Sequence, residues 1–345
     1  MVIGIIGASI SGLIAGKLLA QAGHEVTIYE KSEQFGGRLA TRFFGENNEF
    51  SVDFGAPYLE VATPAFRELA VELTEKGLLQ PWGGDFRFYD GERMLDQNPN
   101  GITNPVVTSR KGMSAIGTWL ARWSDIRLNS KVGGITYIGK NRTKKRAWII
   151  NLTSREVIGA DAIIIALPAP QAYGILGSTV DETNALKIVR EIDEIAYHKT
   201  YSLAAGYGNR EIPDWQGIAC NRSPLEFISN EGLKKEGKQG CQFVMHSTDE
   251  FVQKHLHSTK DQIINEMLSA FAGIAGGWAT SPEWVDLNQW NYKAPFKTVD
   301  RPFFELEEED SPLALVGDYF KGSGVAYAVQ SGRLLAEHWI ERFRS

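Results

Sequence analysis

Val2-Ile3-Gly4-Ile5-Ile6-Gly7-Ala8-Ser9-Ile10-Ser11-Gly12 opens the chain. The first five residues read as a buried strand, the next six as a glycine turn, and residues 13–22 as a helix. Residues 25–29 then read as a second strand ending in Glu30. This is the first βαβ unit of a dinucleotide-binding α/β fold. Gly7 allows the tight turn off the strand. Gly12 lets the helix approach the sheet, and Gly16, one turn on, repeats that contact. The helix N-terminus then offers free N–H groups and the positive end of its dipole to a pyrophosphate. Glu30 lies 18 positions after Gly12, close to the roughly 20-residue spacing of a ribose-binding carboxylate. The pattern departs from G-x-G-x-x-G at its middle position, where Ser9 replaces glycine. Serine is the next smallest polar choice and offers a hydroxyl, but it makes the phosphate approach tighter.

Lys31 follows Glu30. Then come Ser32-Glu33-Gln34-Phe35-Gly36-Gly37-Arg38 and, later, Val52-Asp53-Phe54-Gly55-Ala56-Pro57-Tyr58. These segments resemble the flavin-containing amine oxidase superfamily, and the second resembles its renalase-like branch. The resemblance implies FAD as the cofactor. It implies a Rossmann-like FAD-binding domain, with Ile10, Ser11, Lys31, Gly37, Gly55 and Ala56 beside the nucleotide. A double glycine before an arginine suits that place: the backbone must pass close to the pyrophosphate, and a guanidinium supplies fixed positive charge. The resemblance also reaches Gly112-Met113-Ser114, and Val132 as a backbone contact to the adenine end. At the far end, Leu313-Ala314-Leu315-Val316 reads as a buried strand entering Gly317-Asp318, followed by Gly322-Ser323-Gly324-Val325 and a helix over 327–342. By resemblance Asp318 bonds a ribityl hydroxyl. Gly324 and Val325 start a helix facing the flavin pyrimidine edge, where its dipole favours the reduced flavin.

The chain has 345 residues, a net charge of −6, two cysteines and six scattered histidines. That length suffices for two domains. The charge argues against nucleic acid and against an anionic membrane surface as partners. No apolar run approaches the roughly 20 residues that span a bilayer. A strand starting at Val2 leaves no room for a leader, so a cytoplasmic protein is expected. Cys220 and Cys241 have no metal or redox spacing and read as free thiols. His255 and His257 point to different sides of an expected helix, which disfavours a metal site.

Between the nucleotide motifs, residues 64–76 have helical apolar spacing. Residues 82–91 read as strands with an Asp90-Gly91 turn. Ser114 reads as the N-cap of a helix over 115–123, and 126–132 as a strand. Residues 135–158 read as a hairpin with a basic tip at 140–146. Residues 160–168 read as a central parallel strand ended by Pro168. Helices are expected at 185–195, 249–256 and 260–271, alternating with strands at 201–207, 225–229 and 242–247. That composition suggests a substrate domain of antiparallel sheet plus helices. The acidic run 305–310 reads as solvated loop. The expected division is an FAD-binding domain of 1–60, 105–168 and 296–345, and a substrate domain of 61–104 and 169–295.

The resemblance implies an oxidoreductase that takes a hydride from a small planar molecule, a dihydronicotinamide isomer or an amine, to flavin N5. Reoxidation by molecular oxygen is expected. A monooxygenase, a desaturase and a non-catalytic flavin-binding protein are the alternatives. Tyr58, His246, Trp290 and Tyr292 are the expected cavity residues. Trp290 and Tyr292, two apart on a strand, should share a face. Each aromatic could equally be ordinary core, and His246 an ordinary hydrogen-bonded strand end.

Overall fold

The structure is a computed structural model, and it describes residues 1–44, 50–95, 102–139, 146–177, 182–237, 240–306 and 311–344, with 182–186 as backbone only. Its first sheet runs Asp125–Arg127, Glu25–Tyr29, Val2–Ile6, Ala162–Ile165, Leu313–Leu315, Phe304–Glu305. The first five strands are parallel, and the last pairs antiparallel. Ile3, Ile5 and Ile163 to Ile165 are fully buried, because helices and a second sheet cover both faces of these central strands.

Helix Ile10–Gln21 begins three residues earlier than its periodicity suggests. A Cβ on Gly12 would meet Gly7 O at 2.4 Å, and one on Gly16 would meet Ser124 Oγ at 2.7 Å. Both glycines therefore sit at real close approaches. The C-terminal helix, Val325–Arg342, lies against this first helix. Its Gly332 is in the contact: a Cβ there would meet Ser11 O at 2.2 Å.

Helix Pro64–Glu75 is capped by Thr63, whose hydroxyl accepts from Phe66 N–H, and has proline in its first turn. Its Phe66, Leu69 and Leu73 share one core with Leu13 and Val329. It thus packs with the nucleotide-binding unit, although the expected division put residues 61–104 with the other domain. Among the described residues of that segment, Phe86–Tyr89 and Met94–Leu95 join the second large sheet. That sheet has seven strands, in the order Trp284–Pro295, Tyr197–Gly206, Gln242–Ser247, Leu225–Asn230, Gly217–Cys220, Phe86–Tyr89, Met94–Leu95. Helix Lys260–Ala275, opened by a Thr259/Gln262 capping box, packs Met267 and Phe271 into the core formed with Phe243 and Met245.

Local expectations fail at four places. The strand expected over 126–132 divides: Asp125–Arg127 edges the first sheet, Asn129 turns the chain at φ +52°, and Val132 starts a separate antiparallel sheet. Ser114 is the first residue of helix Ser114–Leu120 rather than its cap. The N–H groups of Met113 and Ser114 donate instead to Asp53 Oδ1 (2.9 Å) and Thr41 Oγ1 (3.0 Å). Glu305, expected in a solvated loop, belongs to strand Phe304–Glu305, and its largely covered side chain accepts from Trp339 Nε1 and Arg342. The fourth is the bulge at 291–293 described below. Residues 307–310 of the acidic run and 140–145 of the basic hairpin tip lie outside the described residues.

Both cysteines are free. Among the described residues no cluster of three metal-binding side chains occurs, and no helix is long and apolar enough to cross a membrane.

Candidate active site

A cavity of about 500 Å³ opens at the carboxyl ends of the parallel strands, where open α/β sheets bind ligands. Two helix N-termini reach it. Ser9, Ile10 and Ser11 come from the first helix, and Gly324, Val325 and Ala326 from the last. Neither helix has a side-chain cap or an acid in its first turn. Ser9 stands at the N-cap, where serine ordinarily accepts from its own helix. Here its hydroxyl turns away, to Ala166 O (2.9 Å) and Ser11 Oγ (2.9 Å). The substitution of the middle glycine therefore leaves the helix N–H groups free for an anion. Gly324 sits at φ +99°, a conformation that favours glycine.

Gly7 (φ +100°) donates its N–H to Tyr29 O, and the next N–H, of Ala8, donates to Glu30 Oε2 at 2.9 Å. Ser32 N and Oγ both donate to Glu30 Oε1. Glu30 thus ties the glycine turn to its own, and like Gly7, Lys31 and Gly37 it lies outside the cavity lining. Lys31 is exposed, with Nζ 3.5 Å from Gln171 Oε1. Val132 and Gly12 are buried and lie outside the cavity lining.

Gly36 and Gly37 have φ of +101° and +57°. They carry the chain past Ser9, with which Gly36 forms a bridge, to Arg38. Arg38 Nη1 donates to Asp318 Oδ2 (2.5 Å) and to the carbonyls of Tyr292 and Lys293. Burial pulls the guanidinium down, but the adjacent Asp318 outweighs it and the net shift is upward. Gly55 passes so close that a Cβ would meet Arg38 O at 2.0 Å. The segments expected at the flavin thus meet at one wall.

Another part of the lining is aromatic. Tyr58 packs on Phe227 and Phe86, with ring centroids 5.2 and 5.5 Å apart. Trp290 also lines the cavity; its Nε1–H donates to Phe54 O (2.9 Å) and Ser202 Oγ (3.0 Å), which fixes the indole. His246 donates from Nε2 to Gly55 O at 2.8 Å. That bond sets the tautomer, since a carbonyl only accepts. Burial, then Lys293, pushes its pKa down to about 4, so the ring is neutral at pH 7.

Tyr292 does not join them. Residues 291–293 oppose the single Lys199 across the sheet, between the pairs Trp290–Thr200 and Ala294–His198. This bulge breaks the two-residue alternation. The Tyr292 ring turns instead onto Tyr197 (5.5 Å, 84°) in the second core.

Sequence reasoning missed Lys293, Glu226, Phe227 and Glu60, all of which line the cavity. Lys293 and Glu226 form an ion pair. A second bulge, between Leu225 and Phe227, lets Glu226 and Phe227 both reach the cavity. A lysine directly after Trp290-x-Tyr292 was the one available signal.

Behind this wall lies a buried ionic quartet. Lys234 Nζ contacts Asp53 Oδ2 (2.8 Å) and Glu231 Oε1 (3.1 Å), and Lys235 pairs with the same two carboxylates. Asp53 N–H donates to Glu231 Oε2 (2.9 Å), and Ser229 Oγ–H to Glu231 Oε1 (2.6 Å). Burial would raise the Asp53 carboxyl, but the two ammonium groups hold it far below the usual range. The quartet fixes the start of the 53–58 segment.

Residues 5–73 match the NAD(P)-binding Rossmann-like domain, and residues 85–339 match the flavin-containing amine oxidoreductases. The chain belongs to the flavin-containing amine oxidoreductase family. It is accordingly an FAD-dependent oxidoreductase. It is 22% identical to renalase of Mus musculus over 314 residues, 86% of each chain. It is 35% identical to an L-amino-acid oxidase of Siganus canaliculatus over 119 residues, 32% of this chain and 22% of that one. The fold is that of cyclohexylamine oxidase from Brevibacterium oxydans (TM-score 0.74, 13% identity, 99% and 98% coverage) and of putrescine oxidase bound to putrescine (TM-score 0.71, 13% identity, 99% and 100% coverage).

Proposed function

We propose that this member of the family oxidises a small molecule with a planar or apolar body, an amine or a dihydronicotinamide isomer, and passes the electrons to molecular oxygen. The observation that carries this reading is that one cavity is lined both by two uncapped helix N-termini and by Tyr58, Phe227 and Trp290. The residues fit FAD. The two helix ends would take its diphosphate, Glu30 a ribose, Asp318 a ribityl hydroxyl, and the Gly55-Ala56 backbone would lie along the ring. When bound, the flavin supplies a two-electron hydride acceptor.

The chain's own residues bind, orient and exclude water. Trp290, held by two hydrogen bonds, and Tyr58, braced by two phenylalanines, present flat apolar faces to the substrate. Neutral His246 holds the Gly55 carbonyl in place. The Lys293–Glu226 pair is the cavity's polar contact able to move a proton. An amine gives up a hydride from its α-carbon with its nitrogen lone pair free, and such a wall favours that neutral form. We also take residues 1–60, 105–168 and 296–345, together with helix Pro64–Glu75, as the FAD-binding unit.

Anaerobic mixing of the FAD-loaded protein with a panel of amines and dihydronicotinamide isomers tests the reading. Bleaching of the flavin band by at least one donor, with peroxide released once oxygen is admitted, is the expected result. A fully loaded protein that no donor bleaches would make this a flavin-binding protein without that activity.

A further inference from the structure

Strand Trp284–Pro295 is the edge of the seven-stranded sheet. Among the described residues no strand pairs with its outer side, so the carbonyls there need another donor. Arg38 supplies one. Its Nη1 donates to Tyr292 O at 3.1 Å and to Lys293 O at 3.0 Å, besides Asp318 Oδ2. In a regular strand neighbouring carbonyls point to opposite edges. One nitrogen that reaches both marks backbone held off the pleat, and both carbonyls belong to the bulge at 291–293.

The sheet pins this bulge at its two ends. Trp290 pairs with Thr200 and Ala294 with His198, and the Trp290 indole is tied to Phe54 O and Ser202 Oγ. Arg38 holds the middle, and it is itself anchored. Its carbonyl accepts from Ala56 N–H at 2.9 Å, and its guanidinium is paired with buried Asp318. Its Nε and Nη2 make no hydrogen bond among the described residues. The clamp therefore uses one nitrogen and leaves the other edge of the guanidinium for a ligand.

The bulge decides which side chain a ligand meets. Plain alternation from Trp290 would bring Tyr292 and then Ala294 to the cavity. Instead Trp290, Lys293 and Ala294 line it, and Tyr292 does not. A lysine thus stands where alternation puts a tyrosine, and Glu226 gains its ion-pair partner there.

We propose that Arg38 is a positioning residue for the substrate side of the cavity: its hold on the carbonyls of Tyr292 and Lys293 turns Lys293 in and Tyr292 out. An arginine from the cofactor motifs thereby sets the charge of the lining that the substrate strand supplies. This goes beyond the function proposed above and does not depend on which molecule the flavin oxidises.

The test uses the FAD-loaded full chain carrying one thiol reporter, Lys293→Cys or Tyr292→Cys. A small uncharged thiol reagent labels it, and the reaction is followed on the peptide that holds the reporter, so that Cys220 and Cys241 do not interfere. With Arg38 in place, the thiol at 293 should label at least about tenfold faster than the thiol at 292. Arg38→Met keeps most of the side-chain length and loses every donor; there the two rates should come within about threefold of each other. Arg38→Lys keeps the charge but reaches less far, and its ratio should fall between the two. It also keeps the test decisive should Arg38→Met not retain FAD. An arginine that only stabilises the fold or only holds the cofactor would lower the melting temperature or the FAD content and leave the ratio unchanged. An unchanged ratio in either variant, or equal rates at 292 and 293 with Arg38 present, overturns the assignment.

Discussion

Arg38 and Asp318 lie 280 positions apart in the chain and meet at 2.5 Å, with the guanidinium donating to the carboxylate. Arg38 comes from the loop after the second strand and Asp318 from the end of the fifth. The pair joins the Gly36-Gly37-Arg38 segment to Gly317-Asp318, and Asp318 is buried to 2% exposure. Removing one partner strands the other. Arg38→Ala should lower stability by about 3 kcal/mol, measured by denaturant unfolding of the apo-protein. Arg38→Ala combined with Asp318→Asn should recover part of that loss; strict additivity of the two changes would show that the pair is not coupled.

Glu30 accepts three hydrogen bonds, one from Ala8 N–H in the glycine turn and two from Ser32. Glu30→Ala should weaken FAD binding by roughly 1–3 kcal/mol, read by flavin fluorescence on titration of the apo-protein. An unchanged affinity would remove Glu30 from the site.

Trp290 and Tyr292 should part company. Trp290→Ala should slow flavin reduction by substrate with FAD content intact. Tyr292→Ala should lower stability by about 2 kcal/mol, since a half-buried aromatic loses its packing on Tyr197, while reduction per folded molecule holds. The reverse assignment would place the bulge at 291–293 wrongly.

His246 makes stability depend on pH. Its pKa is lowered from 6.5 to about 4 by burial. Between those values the unfolded chain binds a proton that the folded one does not. Stability from this residue is therefore full above pH 6.5 and falls as pH drops toward 4, by up to roughly 3 kcal/mol. His246→Gln should flatten that part of the profile in urea unfolding at pH 4.5 and 7.5. Parallel profiles for both proteins would mean the ring is not held neutral.

Gly332 should tolerate no side chain. A Cβ there would meet Ser11 O at 2.2 Å, which is backbone and cannot swing aside. Gly332→Ala should force the two helices apart, costing about 1–3 kcal/mol and weakening FAD binding, because both helix N-termini lose their common focus. Thermal melting with and without FAD measures both effects.

The nucleotide half was legible because its constraints are local. Gly7, Gly12 and Glu30 lie in one short βαβ unit, and fully apolar strands such as 162–165 announce a parallel sheet. The lining supplied by Glu226, Phe227 and Lys293 was hidden because bulges at 291–293 and near Glu226 shift which residues face inward, and alternation cannot register an extra residue. Gly332 looked like any helical glycine; only its neighbour across space gives it a reason. Ser114 misled because serine is a good cap in isolation, whereas here Asp53 and Thr41, distant in sequence, do that work. Glu60 sits in a two-residue strand too short to carry any period.

The buried quartet of Asp53, Glu231, Lys234 and Lys235 also bears on modularity. Its charges come from both sides of the molecule, and each is tolerable in the interior only while the others are present. A fragment ending before residue 231 would bury a bare aspartate or unravel to hydrate it, and a swapped substrate half lacking both lysines would do the same. Recombination is thus constrained at a place outside the cavity lining, and a viable chimaera must inherit these four residues as one unit.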